Sequence, residues 1–220
     1  MLGKRIRVLS VLCIALLTAS AVSAQRPVRL SLSGAVFSTN LNTETTAGEA
    51  LRLSGISAGG AATVALGRMG LGIRYLEGSL SPSGGGTGRS IVEGEAMLSA
   101  RALSWLSFKF GPHIRSFIQN NATERWVFWE TRIRTETELG TRRLTSSLEF
   151  WQILSGSANT TESFDGGQGI EGSLRWEFPS RPLWLNLGYR IDRSNLGGGS
   201  RTEVLEHIVL GVGYGRIRMD

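Results

Sequence analysis

The sequence predicts an all-β chain: a single closed, antiparallel up-and-down transmembrane β-barrel of about ten strands, following a cleavable signal peptide. Three observations carry this. Apolar and polar residues alternate with period two along the chain after residue 24. The alternating segments are long enough to cross a bilayer as tilted strands. Tight turns and longer polar connections follow one another in turn.

The first element is the signal, residues 1–24. Lys4, Arg5 and Arg7 form a basic start, an apolar run extends from Val8 to Leu17, and Ala21-Val22-Ser23-Ala24 supplies small residues for cleavage after Ala24. The run is too short to span ~30 Å of hydrocarbon as an anchor. Cleavage removes Cys13, the only cysteine, so the mature chain has no disulfide to form. It also lowers the net charge from +6 to +3, because the segment holds three basic residues and no acidic one. A chain this close to neutral, without a basic run, is not expected to bind nucleic acid.

Residues 25–220 read as one barrel domain with strands at 27–39, 49–66, 70–81, 89–100, 104–117, 124–139, 142–155, 167–178, 182–193 and 202–217. In the first strand, Val28-Arg29-Leu30-Ser31-Leu32-Ser33 alternates strictly. The second changes parity: Leu51 and Leu53 share one face while Ile56, Val64 and Leu66 share the other. A bulge at Gly55, or a slip at Gly59-Gly60, would restore a single apolar face. In the fifth strand Leu106, Phe108, Phe110 and Ile114 oppose Trp105, Ser107, Lys109, His113 and Arg115. The sixth sets Val127, Trp129, Ile133 and Leu139 against Glu130, Arg132, Arg134, Glu136 and Glu138. The ninth sets Leu183, Leu185, Leu187, Tyr189 and Ile191 against Trp184, Asn186, Gly188, Arg190 and Asp192.

Tight turns are expected at 67–69, 101–103, 140–141 and 179–181, and longer polar loops at 40–48, 82–88, 119–123, 156–166 and 194–200. An even strand number then places both ends of the barrel on the tight-turn side. A soluble periplasmic β-sandwich shares the alternation, but long strands without blunted edges fit closure better.

With its signal, five hairpins and the run Ile208-Val209-Leu210-Gly211-Val212-Gly213-Tyr214, the chain resembles small outer-membrane β-barrel proteins of Gram-negative bacteria. The resemblance implies an outer-membrane location, contact with membrane lipid and a porin-like architecture. It extends over the mature chain and carries no residue-level motif.

The polar face supplies the candidate functional residues. Glu93, Glu95, Lys109, His113, Arg115, Glu130, Arg132, Arg134, Glu136, Glu149, Arg175, Glu177 and Arg190 fall on the inward parity, together with Arg29, Arg74 and Asp192. Both signs are interleaved. Buried charges are tolerated when paired and hydrogen-bonded, so a salt-bridged lumen is expected, with Glu93, Glu95 and Glu149 as partners for Arg132 and Arg134. Two further readings accompany this structural or interaction barrel: a narrow channel for ions or small solutes, and a barrel hydrolase. The hydrolase would need convergent acid–base groups, and the mature chain offers only His113, His207, Asp165, Asp192 and Asp220. No nucleophile elbow, metal-ligand spacing or P-loop occurs, so no catalytic residue, metal or cofactor is expected. Finally, Arg89, Arg125, Arg193 and Arg201 stand at the loop ends of strands, where Arg suits contact with lipopolysaccharide phosphates.

Overall fold

The computed structural model describes residues 28–215 apart from 83, 121, 141 and 142. The signal segment and its cleavage site lie outside these residues. Ten strands follow one another: β1 (Val28–Thr45), β2 (Ala50–Leu66), β3 (Met69–Pro82), β4 (Arg89–Leu103), β5 (Leu106–Gln119), β6 (Ala122–Glu138), β7 (Leu144–Ala158), β8 (Phe164–Glu177), β9 (Leu183–Leu196) and β10 (Arg201–Gly215). Each pairs antiparallel with its sequence neighbours, and β1 closes on β10 from Ser31↔Gly215 to Thr45↔Arg201. Closure leaves no unpaired edge, which disposes of the sandwich alternative and agrees with the resemblance to small outer-membrane barrels.

The predicted faces hold over the half of the barrel nearest the short turns. Leu30, Leu32, Ile73, Phe108, Phe110, Ile133, Leu185, Leu187, Leu210 and Val212 all point outward and are exposed. Their neighbours in sequence point into the lumen and carry the charges. Nearer the long loops the relation inverts. Outside stand Asn40, Asn42, Arg52, Ser79 and Arg193, while Leu41, Leu53, Leu80, Phe117, Trp126, Phe128, Leu196 and Leu205 are buried inside as one apolar cluster. One strand thus presents two kinds of surface along its length. Where the exterior is apolar the interior is polar, and where the exterior is polar the interior is an ordinary hydrophobic core.

This inversion corrects two expectations. Strand β2 has no bulge: its ladder with β1 runs in one register from Val28↔Leu66 to Glu44↔Ala50. Leu51 and Leu53 change face because they serve the inner core, whereas Ile56, Val64 and Leu66 cover the outer wall. The long polar connections are also shorter than expected. β1 continues to Thr45 and β7 to Ala158, leaving residues 46–49 and 159–163 as loops. Polar residues there occupy the outward positions of strands whose inward positions still pack, so pairing continues towards the tips.

Among the described residues, register irregularities occur at three places: Arg101/Leu103, Trp129/Glu130 and Phe164/Gly166. The second places Leu154 as the extra residue of β7 opposite β6, since Trp129 pairs with Ser155 and Glu130 with Ile153. Strand β5 carries Pro112, which has no N–H to donate, and the ladder to β4 lapses between Glu95↔His113 and Leu98↔Phe110. A Cβ at the adjacent Gly111 would lie 1.9 Å from the carbonyl oxygen of Ala96. Glycine is therefore required where β4 and β5 approach, immediately below His113.

Candidate functional site

All of the inward-assigned charges do face the lumen, and the ladder stacks them in tiers. The tier nearest the short turns contains Arg134 with Glu136 (3.0 Å), Arg101 with Glu136 (3.3 Å) and Arg175 with Glu177 (3.4 Å). Above it, Arg74 donates to Glu95 (2.8 Å), and Glu149 accepts from Lys109 (2.5 Å), Arg132 (3.1 Å) and Arg134 (3.4 Å). Arg132 also donates to Glu95 (2.5 Å) and, through Nε, to Glu130 (2.8 Å). The expected cross-strand partners Glu95 and Glu149 are therefore in place. Glu93 is not among them: it pairs with Arg115 instead.

The next tier is buried. His113 stands between two carboxylates, with Nε2 3.6 Å from Glu93 and Nδ1 3.6 Å from Glu130. Asp192 accepts from Arg190 (2.6 Å) and from the Trp151 indole (2.8 Å), and Arg115 lies 3.5 Å away from it. The Trp151 ring also receives the guanidinium groups of Arg190 and Arg132 at 4.7 and 5.2 Å. His113, Glu130, Arg132, Arg115 and Arg190 are each no more than 2% exposed. His207 pairs in the ladder with Arg190, and its Nδ1 lies 3.0 Å from the Thr39 hydroxyl, so it is not joined to Asp192 as an acid–base couple.

Glu95, His113 and Glu130 bring one ligand atom each within 4.8 Å of one another, a spacing a metal ion could use. Arg132, however, donates to both carboxylates and places its own positive charge between them. The chemistry of this donor set is that of an ion-pair network.

Above the apolar cluster a second charged group lies at the long-loop mouth. Arg201 pairs with Glu124, with Glu162 (2.9 Å) and with Glu203 (3.3 Å), and its guanidinium lies over the Trp126 ring at 5.9 Å. Arg89 donates to Gln119 (2.9 Å) and lies 4.0 Å from Glu203. Arg89 and Arg201 are thus turned into the mouth, by the inward parity of positions 89 and 201, and do not stand on the outer rim as expected. Arg125 and Arg193 do lie exposed on the outer wall. Beyond the mouth, Asp165 clamps the last loop by accepting the amides of Gly198 (2.6 Å) and Gly199 (3.2 Å). The left-handed backbone from Gly197 to Gly199 aims those amides at one point.

Burial pushes the Glu203 carboxyl up to about 7; Glu124 adds to the rise, while Arg201, Arg89 and Arg115 oppose it. A carboxyl raised on folding contributes stability that is fully present below its ordinary value of 4.5 and is lost as pH rises through about 7. The melting temperature in detergent is therefore expected to fall by roughly 3–8 °C between pH 5 and pH 8 on this account. Glu203→Gln should flatten that part of the profile. An unchanged slope in Glu203→Gln would show that other groups set it.

Glu203, Trp126, Phe128 and Trp151 were not singled out in the sequence, nor was Glu171, which lines the lumen from β8. For Trp126 and Phe128 the signal was available, since they share parity with Glu130 and Arg132. Their apolar character suited the outer wall equally well, so periodicity alone did not place them.

No protein-family model matches the sequence, and no curated protein matches it. Among solved structures the chain is similar to Neisserial surface protein A, at 12% identity over 86% of this chain and 99% of that one, with a TM-score of 0.42. It is also similar to the translocator domain of the autotransporter NalP from Neisseria meningitidis, at 12% identity over 97% and 94% of the two chains, TM-score 0.44. A third likeness is to a deltaS2 mutant of the monoaromatic hydrocarbon channel TodX, at 8% identity over 87% and 90%, TM-score 0.39.

Proposed function

We propose that this chain is an outer-membrane β-barrel whose lumen is sealed, acting as a structural or interaction protein of the cell envelope rather than as an open pore. The observation that carries the reading is the inversion of faces along the strands. A ring of outward Leu, Ile, Val and Phe beside the short turns would be costly in water and is what a bilayer solvates. The strands are 14–18 residues long, whereas a tilted strand needs only ~9–11 to cross hydrocarbon. The surplus builds the part that stands in water, with its hydrophobic core inside.

The seal has two independent layers: the dry ion-pair tier and the apolar cluster above it. Either one is enough to deny a continuous water path. Arg125 and Arg193, on the outer wall beyond the apolar ring, are in place to meet lipopolysaccharide phosphates as bidentate donors.

Planar-bilayer recording tests the seal. The unmodified protein, first shown to be folded by a gel mobility that changes on boiling, is expected to give no steady openings at neutral pH. Steady, ion-selective openings would instead establish the narrow-channel reading. Recovery in the soluble periplasmic fraction, with no mobility change, would remove the membrane location altogether.

A further inference from the structure

Below the seal, on the short-turn side, the lumen holds a cavity of about 290 Å³. We propose that this vestibule is a binding site for a small dianion of an oxyacid, such as a phosphate or a short dicarboxylate. The inference rests on the sealed-lumen reading, because a dead end retains what a through-pore would pass.

Solvent exposure marks the depth of the vestibule. The side chains of Lys109, Arg74 and Arg134 are 23%, 21% and 21% exposed. One tier higher, Arg115, His113 and Glu130 fall to between 3% and 0%. Water therefore reaches the first group and stops beneath the second. Since the mouth above is packed with apolar side chains, that water enters from the short-turn end.

The wall is cationic. Seven arginine or lysine side chains line the cavity against four glutamates. Glu130 and Glu177, which pair with Arg132 and Arg175 from outside the lining, reduce that excess without reversing it. The donors also outnumber what the carboxylates take up. Lys109 carries three N–H bonds and Arg74 five, and each donates to one carboxylate at the distances given above, Glu149 and Glu95 respectively. The exposed parts of Lys109, Arg74 and Arg134 face the same space. Low-dielectric walls on all sides strengthen the field that these groups produce there. The volume lies at the small end of ligand pockets, which run from ~300 to 1,000 Å³, so it suits a compact anion. The interspersed glutamates disfavour a long polyanion, which would have to lie against them.

Lys109 makes the proposal directly testable, because it is the only lysine after residue 24. The folded full-length barrel in a non-ionic detergent is titrated with inorganic phosphate, with succinate and with choline. Labelling of Lys109 by an amine reagent is followed by peptide mass spectrometry. A saturable one-to-one heat is expected with phosphate or succinate, the stronger of the two identifying the chemistry, and none with choline. Lys109 labelling should slow at least fivefold under the bound anion. Arg134→Gln and Lys109→Gln should each weaken binding at least tenfold, while Arg52→Gln, on the outer wall, leaves it unchanged. If the two vestibule variants do not fold, protection of Lys109 in the unmodified protein decides alone. Absence of a saturable heat, choline binding in place of the dianions, or labelling that is indifferent to them would each overturn the site. Conductance in the bilayer assay would defeat the sealed lumen separately, and a silent barrel that binds no anion would defeat only this proposal.

Discussion

Arg132→Ala should lower the unfolding free energy of the barrel by ~3–5 kcal/mol, the cost of leaving a buried partner charge unpaired. The orphan can be identified. Glu95 keeps Arg74 at 2.8 Å, and Glu149 keeps Lys109 at 2.5 Å and Arg134 at 3.4 Å. Glu130 loses the guanidinium that holds it and retains only His113, at 3.6 Å, in a position with no solvent exposure. Trp151 also loses one of its two guanidinium neighbours. The damage should therefore be reversible by a second change: Arg132→Ala with Glu130→Gln is expected to regain most of the loss, because it removes the stranded charge itself. Urea unfolding of the reconstituted barrel, carried through the double-mutant cycle, measures both effects. A double variant no more stable than Arg132→Ala would show that packing against Trp151, and not the pairing of Glu130, sets the cost. On the sealed-lumen proposal, conductance should stay at baseline throughout, since the apolar cluster above this tier is untouched.

On the membrane reading proposed above, Leu185→Arg should hinder stable insertion, because a side chain of the outer apolar band becomes a cation, a change that costs ~2–4 kcal/mol at the bilayer midplane and less towards the interfaces. Leu185 sits on β9 between Val212 and Trp176, its partners on the two flanking strands, and is 43% exposed to the outside of the barrel. The adjacent Asn186 points the other way and lines the vestibule. Asn186→Leu is therefore expected to insert and fold, with a smaller loss confined to the polar interior. Refolding into vesicles of each variant, read by the gel mobility change, separates the two. Normal insertion of Leu185→Arg beside failure of Asn186→Leu would mean that lipid and lumen faces are exchanged.

Alternation by itself determined a great deal of this molecule. A strand has two faces, so one polar and one apolar parity predicted ten strands, their order and the inward side of the lumen charges assigned above, from Arg29 to Asp192. It did so because those residues lie at the height where the outside is apolar and the inside is not. Leu51 and Leu53 showed the limit of the same signal. Period two reports that the two faces meet different surroundings, but not which is which, and the assignment reverses where the outer wall passes from an apolar to a polar setting. Only the closed barrel fixes that height, by placing Leu53 level with Leu41 and Pro82 across its two ladders. Pairings between charges were likewise a tertiary matter. Arg115 takes Glu93 and Asp192, and Arg201 gathers Glu124 and Glu162 from β6 and the loop before β8. Glu93 is the direct ladder partner of Arg115 on the neighbouring β4, but the contacts with Asp192, Glu124 and Glu162 depend on the diameter and stagger of the closed sheet, which bring side chains together across the lumen from strands far apart in the chain.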